Sequence, residues 1–182
     1  MKVRKEYQGL SRQELLDKVE EKGRGYLVNS MACAPCTVAA LYDVLGFDAV
    51  LVKAATGLSG GTAEQFLGTC GALSGGVTVL GYYFGRPIEK MSDKEYIQAN
   101  ADAIKLPFEI AELLADRFVK EYGTFVCAQI HRQLFGRIFC LTDPDEVEKF
   151  KKADGLTKAA EVVGKGARWV TEILLNKGVV EL

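Results

Sequence analysis

Between Gly57 and Gly85 the chain reads GLSGGTAEQFLGTCGALSGGVTVLGYYFG, and no other stretch constrains the fold as much. Thr62 with Gln65 three residues on spells a capping box, so a helix is expected to start there. From that start Phe66, Cys70, Leu73, Val77, Leu80 and Phe84 recur at alternating steps of four and three residues. Such a seam belongs to a helix packed along one stripe. The same span holds Gly68, Gly71, Gly75, Gly76, Gly81 and Gly85, each costing a helix interior up to about 1 kcal/mol relative to alanine. Packing has to offset that penalty. Gly68, Gly71 and Gly75 share a face, where another backbone or a compact cofactor can approach closely. A tight helix–helix crossing around a buried, inert cysteine accounts for the same pattern.

The flanking chain reads as helical too. Ser11 and Glu14 form a second capping box, opening an amphipathic helix over residues 11–23 with Leu15, Leu16 and Val19 inward. Tyr26-Leu27-Val28 is either a short strand or a continuation of that helix. In Cys33-Ala-Pro-Cys36, Pro35 suits the first helical position of a helix that stops at Gly46. Residues 48–57 form a short apolar helix. Ser92 and Glu95 cap the next one, and Pro107 starts another that runs to Gly123. Thr124 caps a helix ending at Gly136, and Asp143-Pro144 is a strong start with acids at the positive end of the dipole. The last helix spans 157–177 and buries Trp169, Val170 and Ile173. No hairpin signal sits between alternating runs. The expected fold is all-α: a single-domain helical bundle over residues 1–182, of about six to eight helices with the glycine-rich helix at its centre.

A chain of 182 residues fits one domain. Its net charge of −1 removes any electrostatic argument for nucleic acid or an anionic membrane. The N-terminal MKVRKEYQGLSRQELL is charged and lacks the apolar core of a signal peptide. The longest apolar runs are broken by glycine and too short to span a bilayer. A cytoplasmic protein without membrane insertion is expected.

In a reducing compartment Cys33, Cys36, Cys70, Cys127 and Cys140 are not structural disulfides. They are packing residues, metal or cluster ligands, or redox-active thiols. The single histidine, His131, excludes a His-rich zinc or di-iron centre. Cys36 falls in the first turn after Pro35, Cys127 in the first turn after Thr124, and Cys140 just before the helix capped by Asp143. A helix N-terminus carries unpaired N–H groups and partial positive charge, which favours a thiolate. The spacings do not match a zinc ribbon. Cys127 and Cys140 would stand about 20 Å apart on a continuous helix, so Gly136 has to reverse the chain if they meet. Cys33-Ala-Pro-Cys36 resembles a thioredoxin-type active site, yet that fold needs a sheet. Residue 37 is threonine, so there is no CxxCH and no haem attachment; without GxxxxGK there is no nucleotide loop. His131 lies one turn after Cys127, so both can face one site; a hydrogen-bonded core histidine is the plain alternative.

Cys70-Gly71-Ala72-Leu73-Ser74-Gly75, with Gly57-Leu-Ser-Gly-Gly61 before it, resembles the signature of the C-GCAxxG-C-C family of redox-active proteins. The first family cysteine matches Cys36, the third Cys127 in CAQIHRQLFG and the fourth Cys140; Cys33 falls outside the pattern. The resemblance covers roughly residues 30 to 145. It implies a redox class. A similar domain occurs beside haem in split-Soret-type cytochromes, where it looks like an iron–sulfur carrier. The resemblance therefore implies an iron–sulfur cluster held by some of Cys36, Cys70, Cys127 and Cys140, beside Gly71, Gly75 and His131, passing electrons to a redox partner protein. Two alternatives stay open: thiol–disulfide exchange with Cys36 as nucleophile and Cys33 resolving it, and a cysteine-ligated zinc or copper site. The glycine-lined seam is also open to a second subunit, giving a homodimer.

Overall fold

The computed structural model describes residues 2–182, which form a bundle of α-helices with no strand among them. In chain order the helices are α1 (Arg12–Ser30), α2 (Cys33–Leu45), α3 (Val50–Ala54), α4 (Gly71–Phe84), α5 (Lys94–Ala99), α6 (Ala101–Tyr122), α7 (Cys127–Phe135), α8 (Pro144–Lys152) and α9 (Gly155–Asn176). Each falls in a stretch read as helical from the sequence, the short α3 and α5 included. No helix among the described residues is long and apolar enough to cross a membrane.

Local chemistry sets most helix ends. The Ser11 hydroxyl accepts from the Glu14 backbone N–H, and the Glu14 carboxylate accepts from that of Ser11 at 2.8 Å. Asp143 caps α8, with Pro144 at its first position. Gly46, Gly123 and Gly136 end α2, α6 and α7 in the left-handed conformation. α1 continues through Tyr26-Leu27-Val28, because Leu27 extends its buried stripe.

α1 lies along α9, and α2 and α4 close the centre against that pair. Where α1 and α9 cross, Gly23 meets Gly164; a Cβ on Gly164 would stand 2.8 Å from the Glu20 carbonyl oxygen. Leu15, Leu41, Leu80, Ile110, Leu114, Phe118 and Leu174 are fully buried between these helices. Each contributes about 1.5–3 kcal/mol relative to exposure.

Five expected starts move: Asp93 and not Ser92 caps α5, Val126 and not Thr124 is the N-cap of α7, and three others shift. α4 begins at Gly71, not at Thr62, and Cys70 is its N-cap. Thr62, Ala63 and Glu64 adopt left-handed φ values of 72°, 51° and 57° instead. The glycines around them permit a tight loop that finds its hydrogen bonds elsewhere: Ala63 N–H donates to the Gly57 carbonyl and Phe66 N–H to that of Gly60. Gly68 thus lies outside the helix. α2 begins at Cys33, two residues before Pro35, because any first-turn N–H lacks an intrahelical acceptor and proline is tolerated there. Pro107 lies inside α6, not at its start. None of residues 101–109 is buried, so this half of α6 runs clear of the core.

Candidate functional site: a cavity at three helix starts

Cys33, Cys70 and Cys127 each stand at the start of a helix: first residue of α2, N-cap of α4 and first residue of α7. The loop before α4 and the entry to α7 are pinned side by side. Cys70 N–H donates to the Phe125 carbonyl at 2.8 Å, Cys127 N–H to that of Gly68 at 2.9 Å, and Ala128 N–H to that of Phe66 at 3.0 Å. An isolated bridge pairs Thr69 with Val126 between them. Cys33 arrives from the other side: Gly60 N–H donates to its Sγ at 3.3 Å, and that sulfur fills the space a Cβ on Gly71 would need, at 2.2 Å. The motif glycines shape this approach. Gly71 makes room for the thiol, and Gly75 lets α4 close on the Ala34 backbone.

The three thiols line one enclosed cavity of about 50 Å³ together with His131 and an apolar wall from α7 and α9 that includes Ile130, Val162 and Val163. Loss of water pushes all three thiols up: Cys33, opposed by its bond from Gly60; Cys70, to about 12; and Cys127. No lysine or arginine lines the cavity to offset the cost of a thiolate. The thiols therefore stay protonated near neutral pH unless a cation enters. His131 sits edge-on to Phe66 and Phe135, with ring centroids 4.8 and 5.3 Å away, and parallel to Phe150 at 6.1 Å. Its Nδ1 is buried without a hydrogen-bond partner, and burial lowers its pKa to about 4. His131 is not a satisfied core histidine.

The four-cysteine set expected from the motif is not brought together. Cys36 is buried 2.8 Å from Ser30 Oγ and does not line the cavity. Its sulfur turns back to Ser30, at the end of α1, and not into the cavity. Cys140 is exposed in the segment between α7 and α8, in a dent shared with Phe66 and Ala128, with Thr142 Oγ1 3.1 Å away. Gly136 ends α7 in the left-handed conformation, and the segment after it leaves Cys140 exposed. Among the described residues no group of three or more His, Cys, Asp or Glu side chains stands at direct metal-binding spacing. Donors face one space without being drawn together in it. The place of Cys33 in the cavity, the wall supplied by α9 and the packing of Phe66 and Phe150 on His131 escaped the sequence reading; a helix start set at residue 33 would have pointed to the first.

This placement predicts a graded thiol reactivity. In the metal-free native protein a maleimide labels Cys140 fast and Cys33, Cys36, Cys70 and Cys127 slowly, by mass spectrometry of the digested adduct. Fast labelling of Cys70 or Cys127 would contradict their burial.

Comparison with known proteins agrees with the class of site. No match emerges among curated proteins or solved structures. One family model, described as "Putative redox-active protein (C_GCAxxG_C_C)", matches residues 31–173, well over half of the chain. The chain belongs to the C_GCAxxG_C_C family of redox-active proteins.

Proposed function

We propose that the chain is an electron-transfer protein whose working centre is an iron–sulfur cluster, or another thiolate-bound metal, held by Cys33, Cys70 and Cys127. One observation carries this reading: three thiols from distant parts of the chain face one apolar cavity with no protein cation to balance a thiolate. Soft thiolates suit a cluster, zinc or copper, and binding there would displace their protons. When bound, a cluster supplies one-electron chemistry, with a potential set by burial and by hydrogen bonds to sulfur. The chain's own share is to hold and dry that centre. Gly60 N–H is already directed at the Cys33 sulfur, and three helix starts present their N–H ends to the negative charge the thiolates would bring.

Two donors are placed for a fourth position. His131 is inside the cavity with a free buried Nδ1, whereas Cys140 needs the 136–143 segment to fold inward. His131→Gln and Cys140→Ser, compared for bound metal, separate them. Thiol exchange between Cys33 and Cys36 draws less support, since the two sulfurs have different surroundings.

The test is anaerobic purification followed by a visible spectrum and iron, zinc and sulfide analysis of one sample. Charge-transfer bands with stoichiometric iron and sulfide are the expected result. A metal-free, featureless protein that stays so after reconstitution with iron and sulfide would overturn the reading.

A further inference from the structure

We propose that Ser59 is a positioning residue of the thiol site, its hydroxyl donating to the Cys33 sulfur when that sulfur carries negative charge. That role rests on the reading of Cys33 as a metal or cluster ligand.

Three polar side chains are buried among the described residues: Thr37, Ser59 and Thr171. Thr37 and Thr171 sit inside helices and spend their hydroxyl protons on carbonyls of the preceding turn, those of Cys33 and Ala167, each at 3.0 Å. Ser59 lies in the loop before α4 and is 5% exposed. Its Oγ accepts from the Ala34 N–H at a long 3.4 Å, and its own proton meets no oxygen acceptor among the described residues. A buried hydroxyl with an unspent proton costs free energy until a partner takes it.

The Cys33 sulfur is in place to do so. Three groups crowd the space over Gly71: a Cβ there would stand 2.2 Å from Cys33 Sγ, 3.2 Å from the Ala34 nitrogen and 3.2 Å from Ser59 Cα. Gly60, the next residue, already donates its N–H to Cys33 Sγ at 3.3 Å. The backbone fixes Ser59 there, since its N–H donates to the Thr56 carbonyl and its carbonyl accepts from the Glu64 N–H. Burial raises the Cys33 thiol, and the Gly60 and Ala34 N–H groups and the Ser59 hydroxyl oppose that rise. A thiol accepts weakly and a thiolate strongly, so the bond tightens with the charge on the sulfur. A donor to a ligand sulfur favours the reduced, more negative centre and raises its potential.

The experiment compares the native protein with Ser59→Ala, each reconstituted anaerobically with iron and sulfide for a redox titration, and with cobalt(II) alone for a visible spectrum. Ser59→Ala is expected to keep the metal and to favour the oxidised centre about tenfold more, a fall of about 59 mV for one electron. Its thiolate-to-cobalt band should move to longer wavelength, because a sulfur without that donor gives up its electron more readily. Ser59→Thr, which keeps the hydroxyl, should restore both readouts. Ser30→Ala is the control: Ser30 Oγ stands 2.8 Å from the Cys36 sulfur, outside the cavity, and neither readout should move. A Ser59 that only packs would lower the melting temperature and leave potential and band unmoved, which overturns the proposal while the metal stays bound. Loss of metal in Ser59→Ala that Ser59→Thr does not restore would overturn it too. Readouts that move in Ser30→Ala in place of Ser59→Ala would set Cys36 among the ligands and overturn the reading of Cys33 itself. A native protein that holds neither cluster nor cobalt would overturn both.

Discussion

Gly75→Ala destabilises the protein by about 2–3 kcal/mol, more than substitution of any exposed residue. The added methyl would stand 2.5 Å from the Ala34 carbonyl oxygen and 3.1 Å from its Cα. These are backbone atoms of α2, so no rotamer change relieves the contact; α2 and α4 must separate. Separation also withdraws Cys33 from Gly71 one turn below, and with it one wall of the thiol cavity. The gain in helix propensity, about 1 kcal/mol, offsets only part of this. Gly81→Ala is the control. Nothing lies within 4 Å of a Cβ there, so the same exchange in the same helix should stabilise by about 0.5–1 kcal/mol. Urea unfolding of both variants checks the pair. If both stabilise, α2 and α4 do not approach as described.

Cys70→Ser abolishes cofactor binding and leaves the apoprotein as stable as the native one or more so. Cys70 is the N-cap of α4 and makes no capping hydrogen bond, and serine is among the best N-cap residues, worth about 1 kcal/mol over a non-capping side chain. The exchange removes a soft thiolate while strengthening the helix start. Loss of metal, or of redox response, together with an unchanged or raised melting temperature separates a chemical role from a packing role. A cysteine that only packed would leave metal content and redox response unchanged in the variant.

Helix identity was legible because the local rules and the tertiary structure agree: Ser11 with Glu14, Asp143 with Pro144, and stop glycines at 46, 123 and 136 all act as their chemistry dictates. The errors arise where one local signal has more than one structural solution. Proline fits any of the first-turn positions, so Pro35 left the start of α2 open by two residues, and the helix that starts at Cys33 brings that thiol to the cavity while Cys36 turns to Ser30. Thr62 and Gln65 spell a cap, but the surrounding glycines let the backbone bond to residues 57–61 and 125–128 instead, which no periodicity reports. The cage around His131 adds Phe66 and Phe150 from distant segments to Phe135 of its own helix, and only the folded chain assembles it. Of the cysteines expected at helix starts, Cys36, Cys127 and Cys140, only Cys127 lines the cavity. Which three share a cavity was a tertiary question.

The most direct test of the central claim is the metal and sulfide content of Cys33→Ser beside Cys36→Ser, each purified or reconstituted anaerobically with the native protein. Cys33→Ser is expected to lose the bound metal, and Cys36→Ser, altered only at its contact with Ser30, to keep it at the native ratio. Metal retained in Cys33→Ser and lost in Cys36→Ser would return the site to the four-cysteine set and contradict the account.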